Sequence, residues 1–295
     1  MGTKGNHKEL WVAPDPSDPS LTERVFGVDQ DGVPIETLVT VERPLTLFLN
    51  GREIVTMMTI SDYPEYLALG YLINQNMLLD DDEVIGIDYD EEIEAIVVRT
   101  ATETDFEEKL TKKTLTSGCA QGTVFGDVME KFEVTSLSKD TQMKTSSLYG
   151  LIKKINTLPS LYIEAGAIHG CALCQHDNVL IYMEDVGRHN AVDKIAGYMF
   201  RHEISGADKI FYTTGRLTSE MVIKTVQMGI PILVSRSGFT AWGVELARRV
   251  GLTLVGRARG KRFVALSGKS RILFDDGSNA TDDGSIHPGR RGASG

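Results

Sequence analysis

The chain is poor in cysteine and has no long apolar run. Its three cysteines in 295 residues are an odd number, which argues against a disulfide framework and for a reducing compartment. No segment approaches the roughly 20 apolar residues that a transmembrane helix requires. Residues 1–18 are polar and interrupted by proline, so they lack the apolar centre of a signal peptide. These absences predict a cytoplasmic protein that does not bind a membrane.

Basic residues are outnumbered by acidic ones. The 41 acidic side chains and 31 lysines and arginines give a net charge of −10, which argues against general nucleic-acid binding. A local exception is a basic segment near the end of the chain, formed by Arg257, Arg259, Lys261, Arg262, Lys269 and Arg271. Such a segment in an acidic protein is typical of a site for a small phosphorylated ligand, but also of a solvated strand end. Both interpretations stay open on these residues alone.

The first half of the chain is rich in predicted strands, and the second half alternates strands with helices. Strands are predicted at 35–41, 45–49 and 53–60, and Asn50-Gly51 is a strong hairpin signal between the last two. After Pro159, strands are predicted at 161–174, 179–183, 209–214, 231–235 and 252–257, with helices at 190–202, 218–229 and 240–250 and an edge strand at 262–266. This alternation with short connections predicts an α/β sheet with parallel neighbours.

We therefore expect an α/β protein, α+β overall, with a smaller β-rich N-terminal region. The predicted parts are an N-terminal arm (1–34), a β-rich part that carries the Cys119 loop (35–145), an α/β domain (146–266) and a mostly disordered tail (267–295), which is rich in Gly, Asp, Ser and Asn.

Cys119 is a lone thiol in the segment Ser117-Gly118-Cys119-Ala120-Gln121-Gly122. Buried cysteines usually lie among apolar residues, whereas glycine and small polar neighbours are typical of an accessible loop. A thiolate that receives a group from a donor and passes it to an acceptor needs such a position. The alternative is an ordinary loop cysteine.

Polar side chains follow three predicted strands of the second half, where α/β folds place ligands. The densest group lies in 184–194 and contains Glu184, Asp185, Arg188, His189, Asn190, Asp193 and Lys194, with Asp185 or Asn190 as candidate helix caps. Segment 212–220 repeats the arrangement, with Arg216 beside a helix start near Thr218 that suits an anion. Segment 235–240 adds Ser235 and another arginine at the same edge. These groups bind a ligand, tie helices to the sheet, or do both.

The segment His169-Gly170-Cys171-Ala172-Leu173-Cys174-Gln175-His176 contains a C-x-x-C flanked by histidines, which suggests zinc. On a predicted strand, however, residues three apart point to opposite faces, and no second ligand pair follows. We interpret Cys171 and Cys174 as buried packing residues. His169 begins the apolar run and is expected to face the site.

Several blocks together resemble the formate dehydrogenase accessory protein family, the FdhD-type sulfurtransferases. The resemblance covers about 41–266 and rests on Leu67-Ala68-Leu69-Gly70-Tyr71-Leu72, Gly118-Cys119, 166–169, Glu184-Asp185-Val186-Gly187-Arg188-His189-Asn190-Ala191-Val192-Asp193-Lys194, Gly215-Arg216 with Glu220, Gly229-Ile230-Pro231-Ile232-Leu233 and Leu252-Thr253-Leu254-Val255-Gly256.

The resemblance implies a cytidine-deaminase-like three-layer α/β fold in a homodimer, without a zinc site or other tightly held metal. It implies that a cysteine desulfurase supplies persulfide sulfur, which the protein passes to the bis(molybdopterin guanine dinucleotide) molybdenum cofactor. That cofactor is a bound substrate destined for the catalytic subunit of a formate dehydrogenase, and its guanine-nucleotide part is what the protein recognises.

The expected sites follow from the matching positions. Cys119 is expected to be the catalytic, persulfide-forming residue. The expected cofactor-binding residues are Arg257, Ala258, Arg259, Gly260, Lys261, Arg262, His169, Arg188, His189, Gly215, Arg216 and Ser235.

One departure bears on the mechanism. Many family members carry a second cysteine three residues after the first, and this chain has Gly122 there. A single thiolate is enough to accept and yield a sulfur atom, so the sequence favours transfer on one cysteine. The alternatives are a non-catalytic chaperone that binds the molybdenum cofactor for formate dehydrogenase, and a zinc-free deaminase relative with unrelated small-molecule chemistry.

Overall fold

The described part of the chain contains, near its start, a two-stranded hairpin that the sequence did not predict. The structure is a computed structural model, and it describes residues 12–79, 81–102 and 125–275. Strands β1 (Thr22–Val28) and β2 (Pro34–Thr40) pair in antiparallel fashion with Thr22 opposite Thr40. Only β2 matches a predicted strand, because most side chains of β1 are exposed and show no apolar alternation.

A four-stranded sheet follows, in the order β4-β3-β6-β5. Its strands are β3 (Arg43–Leu49), β4 (Arg52–Thr59), β5 (Val84–Asp90) and β6 (Ala95–Thr100). The predicted hairpin between β3 and β4 is confirmed, and its turn residues Asn50 and Gly51 have φ values of 51° and 89°, as a primed turn requires. Helix α1 (Pro64–Asn74) covers this sheet with a nearly all-apolar sequence.

Between the two sheets, the described residues 125–168 are mostly helical. They contain α2 (Phe125–Val134), the short strand β7 (Met143–Lys144), α3 (Thr145–Thr157) and α4 (Leu161–Glu164). Because α4 occupies 161–164, the prediction of one strand over 161–174 is wrong for these first residues. Ser160 follows Pro159 and caps α4 by accepting a 3.1 Å hydrogen bond from the Tyr162 N–H, so a helical turn forms there instead.

A six-stranded sheet forms the second half, in the order β13-β12-β11-β10-β8-β9. Its strands are β8 (His169–Gln175), β9 (Asn178–Asp185), β10 (Ile210–Thr213), β11 (Ile232–Ser235), β12 (Thr253–Arg259) and β13 (Arg262–Ser267). Strands β10, β11 and β12 are parallel neighbours, which confirms the pattern expected from the alternation. Strand β8 runs antiparallel to β10 and forms a hairpin with β9.

Helices cover both faces of this sheet. Helices α5 (Arg188–Arg201), α6 (Ser219–Gln227) and α7 (Ala241–Arg249) pack with α2 on one face, and α3 packs on the other. The mixed α/β class is thus confirmed, and the six-stranded sheet is the middle of three layers. The likeness to cytidine deaminases stays a prediction.

The two sheets are joined by a close crossing of α1 and α5. A Cβ atom added at Gly70 would lie 2.8 Å from the Gly197 nitrogen, and one added at Gly197 would lie 2.9 Å from the Gly70 nitrogen. Only glycine permits the two backbones to approach so closely. Helix α5 carries polar residues of the candidate site at its first turn, so this crossing also fixes part of that site.

The chain continues in ordered form past the boundary predicted for the tail. A 3₁₀ turn (Lys269–Arg271) leads into β14 (Ile272–Leu273), which pairs in parallel with β7. The rest of the predicted tail, from residue 276, lies outside the described residues, and the proposed division into four parts stays a prediction. Within the described ranges, no helix is long and apolar enough to cross a membrane.

Candidate functional site

One edge of the six-stranded sheet collects the polar strand ends that the sequence singled out. Strands β10 and β11 end there in register, with Thr213 opposite Ser235. Because β8 is antiparallel to β10, its first residue, His169, lies at the same edge, and Asp185 at the end of β9 pairs with it. We call this edge, with the residues that follow each strand, the carboxyl edge. The prediction that these strand ends lie together is confirmed.

Three helices begin at the carboxyl edge. Helix α5 starts after Gly187, α6 after Thr218 and α7 after Thr240. Only Thr240 caps its helix with a side chain, by accepting a 3.2 Å hydrogen bond from the Gly243 N–H. The free N–H groups and the helix dipoles make this edge electropositive, which suits an anionic ligand.

A cluster of cationic side chains adds to this positive potential. His169 is half-buried, and burial lowers its pKa; the neighbouring charges of Arg188, Arg236, His189 and Arg216 lower it further, so the imidazole is neutral at pH 7. Within the described part of the chain, none of the three arginines forms an ion pair with a carboxylate. We call Arg188, Arg216 and Arg236 the arginine cluster. Like charges held together, with no direct ion pair to a carboxylate among the described residues, are typical of an anion site.

Gly215 and Ser235 support the arginine cluster. A Cβ at Gly215 would lie 3.1 Å from Cδ of Arg188, so glycine lets the arginine stem pack against the backbone. The Ser235 hydroxyl donates a 2.6 Å hydrogen bond to the Gly215 carbonyl oxygen and accepts one of 2.9 Å from the Ser237 N–H. The side chain of Ser235 is buried, so its contact with the rest of the edge is structural.

The predicted basic stretch forms the β12–β13 hairpin beside this edge. The Arg257 N–H donates a 2.7 Å hydrogen bond to the Ser237 carbonyl oxygen, so the base of the hairpin adjoins the carboxyl edge. Ala258 is 1% exposed and packs in the core. The other predicted positions, Arg259, Gly260, Lys261 and Arg262, are exposed at the tip or on the strand ends.

One arginine of the β12–β13 hairpin and one of the arginine cluster both lower the pKa of the same tyrosine. Burial raises the pKa of Tyr212 to about 12, while the positive charges of Arg236 and Arg259 act in the opposite direction. The Arg236 guanidinium also lies 5.1 Å from the ring centre of Tyr162, a cation–π contact. Tyr162, Tyr212 and Arg236 line a cavity of about 130 Å³ beside the edge. Sequence analysis missed both tyrosines, because their ring positions depend on nonlocal packing.

Beneath the edge, buried charges anchor helix α5. Lys194 contacts Asp62, lies 2.7 Å from Asp185 and donates a 3.0 Å hydrogen bond to the Glu184 carbonyl oxygen. Asp185 also accepts hydrogen bonds from the Gly187 N–H at 3.0 Å and the Asn190 amide at 2.9 Å. Neither Asp185 nor Asn190 is the helix cap, because α5 starts at Arg188 and its N-cap residue is Gly187. That part of the prediction is wrong, and both residues belong to the scaffold.

A second buried pair is centred on Asp193, the neighbour of Lys194 in α5. Asp193 accepts hydrogen bonds of 2.8 and 2.7 Å from Lys224 on α6 and one of 2.7 Å from Asn74 on α1. The three helices are thus joined by one fully buried carboxylate. Removal of a single partner from such a group leaves an unpaired buried charge, so these residues serve the scaffold.

His189 points between the first turns of α5 and α6. Its Nε2 atom lies 3.1 Å from Oε2 of Glu220, and its Nδ1 atom is buried without a hydrogen-bond partner among the described residues. Burial lowers the pKa of His189. Burial alone would raise the pKa of Glu220, but the hydrogen bond from His189 and nearby positive charges lower it. Sequence analysis selected His189, but no signal in the sequence identified Glu220 as its partner.

The two cysteines of the C-x-x-C segment are buried on opposite faces of the sheet. Cys171 packs with the α5–α7 side and Cys174 with the α3 side, and both are 0% exposed. Burial raises the thiol pKa of Cys171 to about 12 and that of Cys174 further. The interpretation as packing residues is confirmed. Cys119 lies outside the described residues.

Comparison with known proteins decides the family. The sequence model of the FdhD/NarQ family matches residues 40–273, which is most of the chain and includes the whole carboxyl edge. The chain belongs to the FdhD/NarQ family.

Relatives and a solved structure agree with this assignment. The sulfur carrier protein FdhD of Wolinella succinogenes is 31% identical over 245 residues, covering 80% of this chain and 83% of the relative. The sulfur carrier protein FdhD of Bacillus pumilus is 29% identical over 235 residues, with 79% and 90% covered. A crystal structure described as a formate dehydrogenase accessory protein from Desulfotalea psychrophila matches with a TM-score of 0.69 and 28% identity, covering 85% of this FdhD/NarQ chain and 98% of that one.

Proposed function

We propose that this protein is a sulfur carrier that serves a formate dehydrogenase. The observation that carries the proposal is membership of the FdhD/NarQ family, whose relatives named above are called sulfur carrier protein FdhD. The solved neighbour is described as a formate dehydrogenase accessory protein, which agrees with such a client.

The proposed sulfur-carrying residue is Cys119. The chain has three cysteines, and the other two are fully buried with raised thiol pKa values, so they are poor nucleophiles. In the proposed step, the Cys119 thiolate attacks the outer sulfur of a donor persulfide. A new S–S bond forms on Cys119, the donor bond breaks, and the donor leaves as a thiolate, with no net oxidation. The protein is in this sense a sulfurtransferase, and Gly122 makes it depend on one cysteine.

The proposed cofactor site is the carboxyl edge with the β12–β13 hairpin. The molybdenum cofactor is the substrate here, and its guanine-nucleotide end carries phosphates. The arginine cluster, the helix N-termini and the exposed Arg257 and Arg259 supply positive charge for these phosphates. His169 and His189 lie within the same group. Ala258 supports the strand from inside the core and does not reach a ligand.

The partners follow from the resemblance and are proposals. A cysteine desulfurase is proposed as the persulfide donor, and the catalytic subunit of formate dehydrogenase as the recipient of the sulfurated cofactor. A homodimer is proposed for the same reason, and a cytoplasmic location is proposed from the low cysteine content and the polar N-terminal residues.

The sulfur-carrier role is tested by intact-mass measurement. The full chain is incubated with a cysteine desulfurase and cysteine, and the wild-type protein should gain the mass of one sulfur atom. Cys119→Ala should gain none, whereas the control Cys174→Ala should load like the wild type. Cells that contain only Cys119→Ala should produce inactive formate dehydrogenase. Full activity in those cells would refute sulfur transfer and favour a non-catalytic cofactor chaperone.

The cofactor site is tested with GDP as the probe. Arg216→Gln and Arg236→Gln should each weaken GDP binding by about tenfold or more, since one charged hydrogen bond is worth about 1.5–3 kcal/mol. Arg201→Gln is the matched control, because Arg201 is exposed at the opposite end of α5 from Arg188. Equal losses in all three variants would contradict a site at the carboxyl edge.

A further inference from the structure

His189 and Glu220 form a polar pair inside the carboxyl edge that the proposed binding role does not explain. Each lies in the first turn of a helix that starts at this edge, His189 on α5 and Glu220 on α6. His189 is 9% exposed, and its Nε2 atom is 3.1 Å from a Glu220 carboxylate oxygen. Its Nδ1 atom has no contact with solvent and no hydrogen-bond partner among the described residues.

This geometry fixes the tautomer of the neutral imidazole. The Glu220 carboxylate accepts a hydrogen bond, so Nε2 carries the proton and Nδ1 is left as an unprotonated acceptor with a free lone pair. Unpaired buried polar atoms are uncommon in folded proteins and call for an explanation. Here the adjacent Arg188 has one too, at Nε. The two unpaired atoms belong to consecutive residues at the start of one helix.

The charges that face His189 come from three elements. Lys224 on α6 and Arg188 on α5 disfavour the imidazolium, while Glu220 on α6 favours it. His169 on β8 lies close enough for the two imidazoles to affect each other. Without a ligand, burial and the two cations outweigh the carboxylate, so the imidazole is neutral. A bound anion adds a negative charge near His189, and this charge favours the imidazolium.

We propose that binding of an anion at the carboxyl edge is coupled to uptake of one proton by His189, with Glu220 holding the resulting imidazolium in place. Nδ1 receives the proton, and solvent water or buffer supplies it. His189 is thus a residue that couples ligand charge to protonation. This inference rests on the anion site of the proposed function and not on the sulfur-carrier role.

His169 is a poorer proton acceptor than His189. The neighbouring charges that lower its pKa are chiefly those of arginines, its Nδ1 atom lies 3.4 Å from the Thr214 hydroxyl, and among the described residues its ring forms no ion pair with a carboxylate. The ring of His189, in contrast, lies against the Glu220 carboxylate, which stabilises an imidazolium there. The proton should therefore go to His189.

Sulfate is the probe for the test, because its charge is constant between pH 6 and 8. The dissociation constant of sulfate for the full chain should increase with pH in this range, by up to about tenfold per pH unit where one proton is taken up. Calorimetry in two buffers with different ionisation enthalpies should give an uptake approaching one proton per sulfate near pH 7. Imidazole ¹⁵N chemical shifts should show the Nε2–H form of His189 before sulfate and the imidazolium after it.

Four variants assign the proton. His189→Gln and Glu220→Gln should bind sulfate with little pH dependence and little proton uptake. His169→Gln should keep the proton uptake whatever its affinity for sulfate, and the control His202→Gln, at the exposed far end of α5, should behave as the wild type. Circular dichroism checks that each variant is folded, and the ¹⁵N shifts of the wild type give the answer without any variant. Sulfate binding without proton uptake, or uptake lost only in His169→Gln, would overturn the coupling. No sulfate binding by the wild type would refute the anion site itself and leave the Cys119 test standing.

Discussion

A methyl group added at Gly197 should destabilise the protein, although alanine is the better helix former. Gly197 lies in α5 where this helix crosses α1. A Cβ there would lie 2.8 Å from the Tyr66 carbonyl carbon and 2.9 Å from the Gly70 nitrogen, with the Tyr66 carbonyl oxygen closer still. All three atoms belong to the backbone of α1, so no side-chain rotation relieves the contact. The helices must move apart.

Two opposing terms set the size of the effect. Replacement of glycine by alanine in a helix interior gains about 1 kcal/mol of helix propensity. Overpacking of a close contact costs about 1–3 kcal/mol, and a clash between two backbones belongs at the upper end. The expected net loss for Gly197→Ala is therefore about 2 kcal/mol. For a chain of 295 residues, this corresponds to a decrease in Tm of about 3 °C.

The matched control is Gly150→Ala in α3. A Cβ at Gly150 meets no atom within 4 Å, so only the propensity term acts, and this variant should be equal to or more stable than the wild type by up to about 1 kcal/mol. Urea unfolding followed by circular dichroism measures both variants. If Gly197→Ala is as stable as Gly150→Ala, the two helices do not cross as closely as described, and the reasoning fails.

Two further predictions concern buried groups. Lys194→Met should lose about 3–5 kcal/mol of stability at pH 7.5, because it leaves buried carboxylates without a cation. Since burial raises the pKa of Asp62, the loss should be smaller at pH 5, where that carboxyl protonates more readily; an equal loss at both pH values would contradict this. In the Cys119→Ser variant, Cys171 and Cys174 should not react with a thiol reagent until urea unfolds the protein, and rapid labelling of the native variant would show that β8 is not buried as described.

The sheet and its polar edge were predictable because they depend on local patterns. Strand–helix alternation with short connections leaves few topologies, and parallel strands place their carboxyl ends together. This is why Arg216, Ser235 and the start of α6 were correctly expected at one edge. The opposite faces of Cys171 and Cys174 followed from the two-residue period of a strand in the same way.

The partners of the edge residues were not predictable, because each contact joins elements distant in sequence. Lys224 could not be assigned to Asp193 or Glu220 to His189 without the packing of α5 against α6. Strand β1 was missed for a related reason. Its pairing with β2 is a nonlocal property, and its exposed side chains carry no burial pattern from which a strand could be recognised.

From the sequence, the residues of the dense polar segment at 184–194 could bind a ligand or support the fold. In the structure, the position of each residue along α5 separates these two roles. Arg188 and His189 occupy the first turn, where the helix meets the carboxyl edge, and Asp193 and Lys194 are fully buried below it. The like charges of the arginine cluster repel one another, so the cluster must be held by interactions elsewhere. The two buried ion pairs supply that support, because Lys194 and Asp193 fix α5 to the sheet and to its neighbouring helices. The acidic and basic residues of one short segment are therefore interdependent: the buried ion pairs of Asp193 and Lys194 keep Arg188 and His189 in place at the carboxyl edge.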